Sequence, residues 1–147
     1  MLGVIIPYLK TQLDDPETPR VFHYQYPCTL RLQPGPSKAY NRVHRDAEYG
    51  HQIGEINFWM PLSDYALTHT ALEVETSPGS SNFKPLDISI GEIGMFHGTL
   101  LHHRAPANAS VCTRVSLDFR IGIEGYFDPN WKLRGVKAQH TRRFVKM

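Results

Sequence analysis

The sequence has little of what characterises secreted, membrane-spanning or nucleic-acid-binding proteins. Cys28 and Cys112 are its two cysteines, too few for a recognisable disulfide framework, which favours a reducing cytoplasmic environment. A formal net charge of +2 is too small to make nucleic acid or an anionic membrane the main partner. The first residues lack the basic start and the apolar core of a signal peptide, and no apolar run is long enough to span a bilayer. We therefore expect a cytoplasmic globular protein that binds neither membrane nor nucleic acid.

The remaining composition is that of one ordinary folded domain. With 147 residues, 41% hydrophobic and 20% charged, the chain can bury a core, and we expect residues 1–147 to form a single domain. A short N-terminal segment precedes the strand-rich part. From about residue 131 the sequence is basic without an acid, which predicts a solvated tail or a final helix, or else a surface for an anionic substrate or partner. The basic residues there are Lys132, Arg134, Lys137, Arg142, Arg143 and Lys146.

Short segments rich in β-branched and aromatic residues dominate the middle of the chain. Clusters of proline, glycine, serine and asparagine separate them, as turns do between strands. Such regular spacing favours an all-β sandwich or barrel, with helices limited to the first dozen residues and the basic end. The predicted strands are Thr29–Gln33, Gly54–Leu62, Ala71–Thr76, Ile88–Ile90, Met95–Leu101 and Thr113–Ile123.

Two of these strands alternate between apolar and polar side chains. Within Gly54–Leu62, Asn57 and Trp59 share one face. Within Thr113–Ile123, the polar face consists of Arg114, Ser116, Asp118 and Arg120, and the opposite face is apolar. The polar face is either exposed to solvent or lines a site. For Arg120, as for Arg31 in the predicted strand Thr29–Gln33, we weigh a structural ion pair against contact with an anionic substrate.

The polar residues include a set that suits a metal ion. His44 and Asp46 are two positions apart and project to the same side of an extended segment. A third ligand must come from elsewhere, and the candidates are His97, His102 and His103. Two imidazoles and one carboxylate are the ligands of non-haem iron sites that leave positions open for other ligands. The planar fork of Arg114 and the hydroxyl of Ser116 could together bind the carboxylate of an α-keto acid.

Three motifs, in their order along the chain, resemble those of the iron(II)/2-oxoglutarate-dependent oxygenases. They are the His-x-Asp pair, the His-Arg-x-x-x-Asn segment that ends at Asn108, and the Arg-x-Ser pair. The residues from Thr29 to Ile121, including Glu55–Leu62 and Thr113–Arg120, resemble the streptomycin-biosynthesis StrG-type proteins. The resemblance implies a double-stranded β-helix, which is a cupin-like jelly roll with few short helices. The stretch before His44 is short for this family, so the chain is either a compact member or a fragment.

The resemblance also assigns roles to particular residues. His44, Asp46 and His103 would be the catalytic iron ligands, with His102 as the alternative to His103. Arg114, assisted by Ser116, would bind the distal carboxylate of 2-oxoglutarate. Asn57 and Trp59 would be cosubstrate or pocket residues, or else a buried amide and a core indole.

The implied activity is hydroxylation of a small molecule with Fe(II), 2-oxoglutarate and O2, releasing succinate and CO2. Two alternatives stay open at this point. One is a cupin-like metal enzyme that does not use 2-oxoglutarate. The other is a jelly-roll binding module without turnover. Neither the substrate nor the oligomeric state can be read from the sequence.

Overall fold

The structure is a computed structural model that describes residues 2–13, 20–40, 42–131 and 143–146. It begins with the helix that the sequence predicts for the first dozen residues, and most of the later elements are strands. The helices are α1 (Leu2–Leu13), a 3-10 turn over Asp46–Tyr49 and α2 (Tyr65–Thr68). The strands are β1 (Phe22–Tyr26), β2 (Thr29–Gln33), β3 (Glu55–Pro61), β4 (Glu73–Glu75), β5 (Phe83–Pro85), β6 (Gly94–Phe96), β7 (His103–Arg104), β8 (Arg114–Ile123) and β9 (Arg143–Lys146).

The described strands form two antiparallel sheets, as expected for an all-β chain with few helices. The larger sheet has the order β6-β3-β8-β1-β9, and β2 also pairs with β8. The long strand β8 is its centre, because β3 runs along one edge of β8 while β1 and β2 share the other edge. The smaller sheet has the order β5-β4-β7. An isolated antiparallel bridge between His44 and His103 extends this smaller sheet by one position.

The apolar core lies between α1 and one face of the larger sheet. Ile5, Ile6 and Leu9 are buried on one side of the helix and pack with Phe58 of β3 and Phe119 of β8. Spacings of three and four residues place side chains on the same face of a helix, and alternate residues share the face of a strand. The apolar positions of the sequence therefore dictate which face of the sheet the helix covers. We call this the outer face.

The opposite, inner face of the larger sheet is polar and also buried. Exposure is 2% for Arg114, 0% for Ser116 and 5% for Arg120 on β8, and 6% for Asn57 on β3. Solvent exposure, one of the two interpretations of this polar face, is therefore wrong. Buried polar side chains require partners or a ligand, because desolvation without hydrogen bonds costs free energy.

Several strand predictions need correction. Ile88–Ile90 is not a strand. The strand predicted over Met95–Leu101 covers Gly94–Phe96 instead, and residues 98–100 form a turn. The sequence patterns also missed β1, β5 and β7. Strand β5 ends in a proline, which is tolerated at a sheet edge but weakens the strand signal.

The basic end of the chain differs from the expected tail or helix where it is described. Arg143–Lys146 forms β9 and pairs with β1. The preceding basic residues, from Lys132 to Arg142, lie outside the described residues. Within the described ranges, no helix is long and apolar enough to cross a membrane.

Candidate metal centre

His44, Asp46 and His103 come together as a buried group. One ligand atom from each lies within 4.8 Å of the other two. The two Nε2 atoms face the same carboxylate oxygen, Asp46 Oδ1, at 3.9 Å from His44 and 3.6 Å from His103. The backbone produces this arrangement, since the two histidines are directly opposite one another in an antiparallel bridge. Directly opposite residues project to the same face of a sheet, and their ring centroids are 4.4 Å apart.

Both imidazoles are held in the orientation that a metal ligand needs. His44 Nδ1 lies 2.8 Å from the carbonyl oxygen of Arg42, and His103 Nδ1 lies 3.1 Å from that of Leu101. An Nδ1–H that donates to a backbone carbonyl fixes the tautomer and leaves Nε2 as the free lone pair. Burial, followed by the neighbouring His103, lowers the pKa of His44, which favours the neutral form that binds a metal.

Asp46 is ionised and held from one side. Burial alone would raise its pKa, but the charge of Arg120 and contacts with His103 keep the pKa well below its usual value. Its Oδ2 accepts hydrogen bonds from Arg120 Nη2 and Asn57 Nδ2, each at 2.6 Å, and from Arg120 Nε at 2.8 Å. The other oxygen, Oδ1, faces the two histidines. The donor set therefore fits a divalent cation that is bound by two nitrogens and one carboxylate oxygen.

The other candidate histidines lie outside this group. His102 Nδ1 lies 3.0 Å from Glu75 Oε2, and the backbone N–H of His102 donates to the same oxygen. His97 Nδ1 is 2.9 Å from the hydroxyl of Thr99. Adjacent residues of a strand point to opposite faces, so His103 and His102 cannot both face the site. Among the described residues, His103 is thus the candidate histidine that faces Asp46 together with His44.

Arg114, Ser116 and Trp59 carry buried polar atoms without hydrogen-bond partners. These atoms are Arg114 Nε and Nη1, Ser116 Oγ and Trp59 Nε1. Arg114 and Trp59 line the same cavity as the three candidate ligands. Burial, and then the nearby charge of Arg31, lowers the pKa of Arg114 to about 10. A buried guanidinium with two free donors, in a cavity that an unpartnered indole N–H also lines, fits a carboxylate ligand.

The remaining predicted positions have structural partners. Asn57 donates to Asp46 and accepts from the backbone N–H of Gly98, so it is a buried amide that supports the candidate ligands. Arg31 forms an ion pair with Asp118, and Arg120 forms one with Asp46. The structural ion-pair interpretation therefore holds for both arginines, although both also line the cavity.

Sequence reasoning missed the contact between Arg120 and Asp46. The two residues are 74 positions apart, and only the pairing of β3 with β8 brings Asn57 and Arg120 opposite each other beside Asp46. The one available signal was the alternation of β8, which placed Arg120 on the same face as Arg114.

Asn108 has a role in the turn before β8. Its side chain donates to the carbonyl oxygens of Gln33 and Cys112 and accepts from the N–H of Ser110. These contacts fix the loop that leads into Arg114.

Comparison with known proteins gives one sequence relative and several structural ones. The streptomycin biosynthesis protein StrG of Streptomyces griseus is 30% identical over 132 residues, which is 88% of this chain and 62% of that protein. The chain thus spans about three fifths of the length of this relative. No protein-family model matches the sequence.

Solved structures that resemble this chain include proteins described as non-heme oxygenases. The apo non-heme monooxygenase ThoJ superimposes with a TM-score of 0.61 at 14% identity, covering 80% of this chain and 51% of ThoJ. The nickel complex of ThoJ gives a TM-score of 0.58 at 16% identity, covering 80% of this chain and 49% of the other. The alpha-ketoglutarate-dependent carbocyclase SnoK from nogalamycin biosynthesis gives 0.58 at 18% identity, covering 81% and 55%. The chain shares their fold.

Proposed function

We propose that this protein is an Fe(II)- and 2-oxoglutarate-dependent oxygenase that hydroxylates a small molecule and releases succinate and CO2. One observation carries the proposal. The converging atoms of His44, Asp46 and His103 share a cavity with Arg114, a buried guanidinium that has two unpartnered donors. Two histidines and a carboxylate suit iron, and the guanidinium suits the distal carboxylate of the diacid.

The fold supports the proposal without deciding it. We infer a double-stranded β-helix, because the strands from β5 to β8 alternate along the chain between the smaller sheet (β5 and β7) and the larger one (β6 and β8). SnoK is described as alpha-ketoglutarate dependent, and ThoJ as a non-heme monooxygenase that also forms a nickel complex. StrG is described as a streptomycin biosynthesis protein. These descriptions favour a small-molecule substrate and a resident metal for this chain.

His44, Asp46 and His103 would hold the metal through their Nε2 atoms and Oδ1. Fe(II) with 2-oxoglutarate and O2 supplies the oxidant for the C–H bond and accounts for succinate and CO2 as products. The protein's own residues position the reactants and exclude side reactions. Arg114 would bind the distal carboxylate, with Ser116 Oγ and Trp59 Nε1 as further donors whose hydrogen bonds are otherwise unmade.

A metal enzyme that does not use a keto acid is the main alternative, and the same guanidinium argues against it. Burying Arg114 without hydrogen-bond partners for Nε and Nη1 destabilises the folded protein, and an enzyme that binds no keto acid would gain nothing from it. A binding module without turnover would have no need for three converging ligand atoms.

The proposal is tested with anaerobic protein that is loaded with Fe(II) and titrated with 2-oxoglutarate. We expect the visible charge-transfer absorption of an iron–keto acid chelate and, when O2 is admitted, succinate formation coupled to O2 consumption. Metal binding without affinity for 2-oxoglutarate would favour the keto-acid-independent enzyme. If the protein bound neither the metal nor 2-oxoglutarate, the result would favour the binding module without turnover.

Two adjacent histidines provide a matched pair of variants for the same titration. His103→Ala removes a proposed ligand, and we expect metal binding and turnover to be lost. His102→Ala removes a side chain that contacts Glu75 and not the site, so metal affinity should stay within about threefold of wild type. Loss of the metal in His102→Ala with its retention in His103→Ala would reverse the assignment.

A further inference from the structure

Arg120 makes a two-nitrogen contact with a single oxygen of Asp46. Its Nη2 and Nε lie 2.6 and 2.8 Å from Asp46 Oδ2, and Asn57 Nδ2 donates to the same oxygen at 2.6 Å. Arginine more often places its two nitrogens on the two oxygens of a carboxylate. Here all three donors converge on Oδ2, and Oδ1 is left to face the histidines.

This distribution determines how Asp46 can bind a cation. A carboxylate has about four lone-pair sites over its two oxygens, so three donors saturate one of them. Oδ2 could join the metal only by giving up hydrogen bonds to a buried cation and a buried amide. The guanidinium charge on that side also repels a divalent ion. Asp46 is therefore arranged to bind through Oδ1 alone.

Arg120 is itself fixed in place. Its Nη1 donates to Gln25 Oε1 at 3.1 Å, and Glu55 Oε2 lies 4.0 Å from its Nε. Burial disfavours its charge, but Asp46 and other nearby carboxylates raise its pKa above the ordinary value. The side chain is 5% exposed, so it cannot swing into solvent without breaking these contacts.

We propose that Arg120 is a positioning residue that restricts Asp46 to one-point metal binding and so keeps coordination positions open for the cosubstrate and O2. The inference rests on the proposed function. An octahedral ion with three protein ligand atoms has three further positions, two for a chelating keto acid and one for O2. A carboxylate that bound through both oxygens would remove one of them.

The wild-type protein loaded with Co(II) provides the first test. A crystal structure of this complex shows how many Asp46 oxygens lie within bonding distance of the ion. A count of all ligands would not, because water fills any remaining position. We expect one Asp46 oxygen, Oδ1, together with one nitrogen from each of His44 and His103. A carboxylate bound through both oxygens would overturn the inference without any variant.

Two variants test the role of the guanidinium. Arg120→Met removes all its donors, and we expect Asp46 to bind Co(II) through both oxygens and the Kd for 2-oxoglutarate to rise by at least about tenfold. Arg120→Lys keeps a cation beside Asp46 and is expected to fold even if the methionine variant does not. Its single ammonium cannot reproduce the fork, so the Kd should rise by about threefold to tenfold.

Arg104→Met is the matched control, because Arg104 pairs with Glu73 on the smaller sheet and does not line the cavity. Its Kd for 2-oxoglutarate should not change. If Asp46 binds Co(II) through one oxygen in the Arg120 variants and they bind 2-oxoglutarate within twofold of wild type, the inference fails and the proposed function stands. If the wild-type protein binds neither Co(II) nor 2-oxoglutarate, both the inference and the proposed function fail.

Discussion

Arg114→Met is expected to stabilise the metal-free protein and, in the same step, to weaken its binding of 2-oxoglutarate. In the folded chain Arg114 is 2% exposed, and two of its donors have no partner. Burial and then the charge of Arg31 lower its pKa from its ordinary value to about 10. At about 1.36 kcal/mol for each pH unit between these values, holding the charge in the folded state costs roughly 3 kcal/mol at neutral pH.

Methionine fills a similar volume without a charge. Replacing poorly compensated buried charge by well-packed apolar groups often stabilises proteins by about 1–4 kcal/mol. We therefore expect Arg114→Met to raise the free energy of unfolding by roughly 1–3 kcal/mol. For a chain of 147 residues this corresponds to a Tm increase of about 3–10 °C.

Binding should change in the opposite direction. Removing a charge-assisted hydrogen-bonding contact to the distal carboxylate costs about 1.5–3 kcal/mol, which raises the Kd for 2-oxoglutarate by roughly 10- to 150-fold. Thermal unfolding of metal-loaded protein with and without 2-oxoglutarate measures both effects. At the same 2-oxoglutarate concentration, the gain in Tm should be much smaller for the variant than for the wild type.

The reasoning would be refuted by a variant that is less stable than wild type and binds 2-oxoglutarate equally well. That result would make Arg114 a purely structural residue. Arg104→Met serves as the control for loss of an arginine that already has a partner, since Arg104 is bonded to Glu73. It should show neither the gain in stability nor the loss of affinity.

Two further predictions concern the surroundings of the site. A Cβ on Gly98 would lie 2.6 Å from the Asn57 side chain, so Gly98→Ala should lower the free energy of unfolding by about 1–3 kcal/mol and weaken metal binding in a titration. Gly3→Ala is the control, because a Cβ there meets nothing within 4 Å and should slightly stabilise α1. Unchanged metal affinity in Gly98→Ala would contradict this prediction. The Ser81 N–H and then other donors lower the pKa of Glu75 from 4.5 to about 2, so its contribution to stability is present above pH 4.5 and is lost as the pH falls towards 2. Urea unfolding of Glu75→Gln should therefore show a deficit at neutral pH that vanishes near pH 2, and a deficit independent of pH would be inconsistent with that origin.

The sequence predicts those parts of the molecule whose signal is local. The alternation over Thr113–Ile123 correctly separates the outer and inner faces of β8, because the period of a strand is short enough to read from neighbouring residues. The bounds of β2 match the predicted segment Thr29–Gln33 for the same reason. His44 and Asp46 are two positions apart, and their proximity is therefore a local property as well.

The features that sequence reasoning missed or left open depend on pairing between distant segments. His103 is brought to His44 by a bridge, which no periodic pattern announces, and the choice over His102 needed a resemblance. Strand β9 exists because its backbone pairs with β1, whereas its basic composition indicated a tail or a helix. The polar face of β8 could not be distinguished from a solvated surface, since the period is the same whether water or a second sheet covers it.

The outer face of the larger sheet holds α1 through Phe58 and Phe119, while the inner face of the same strands carries Asn57, Arg114 and Arg120. The core packing and the cavity thus lie on opposite faces of the same sheet. Changes in the side chains of the inner face would therefore alter the cavity while the helix contacts stay in place. A scaffold of this kind can change the ligand that its cavity fits by exchanging alternate residues of two strands.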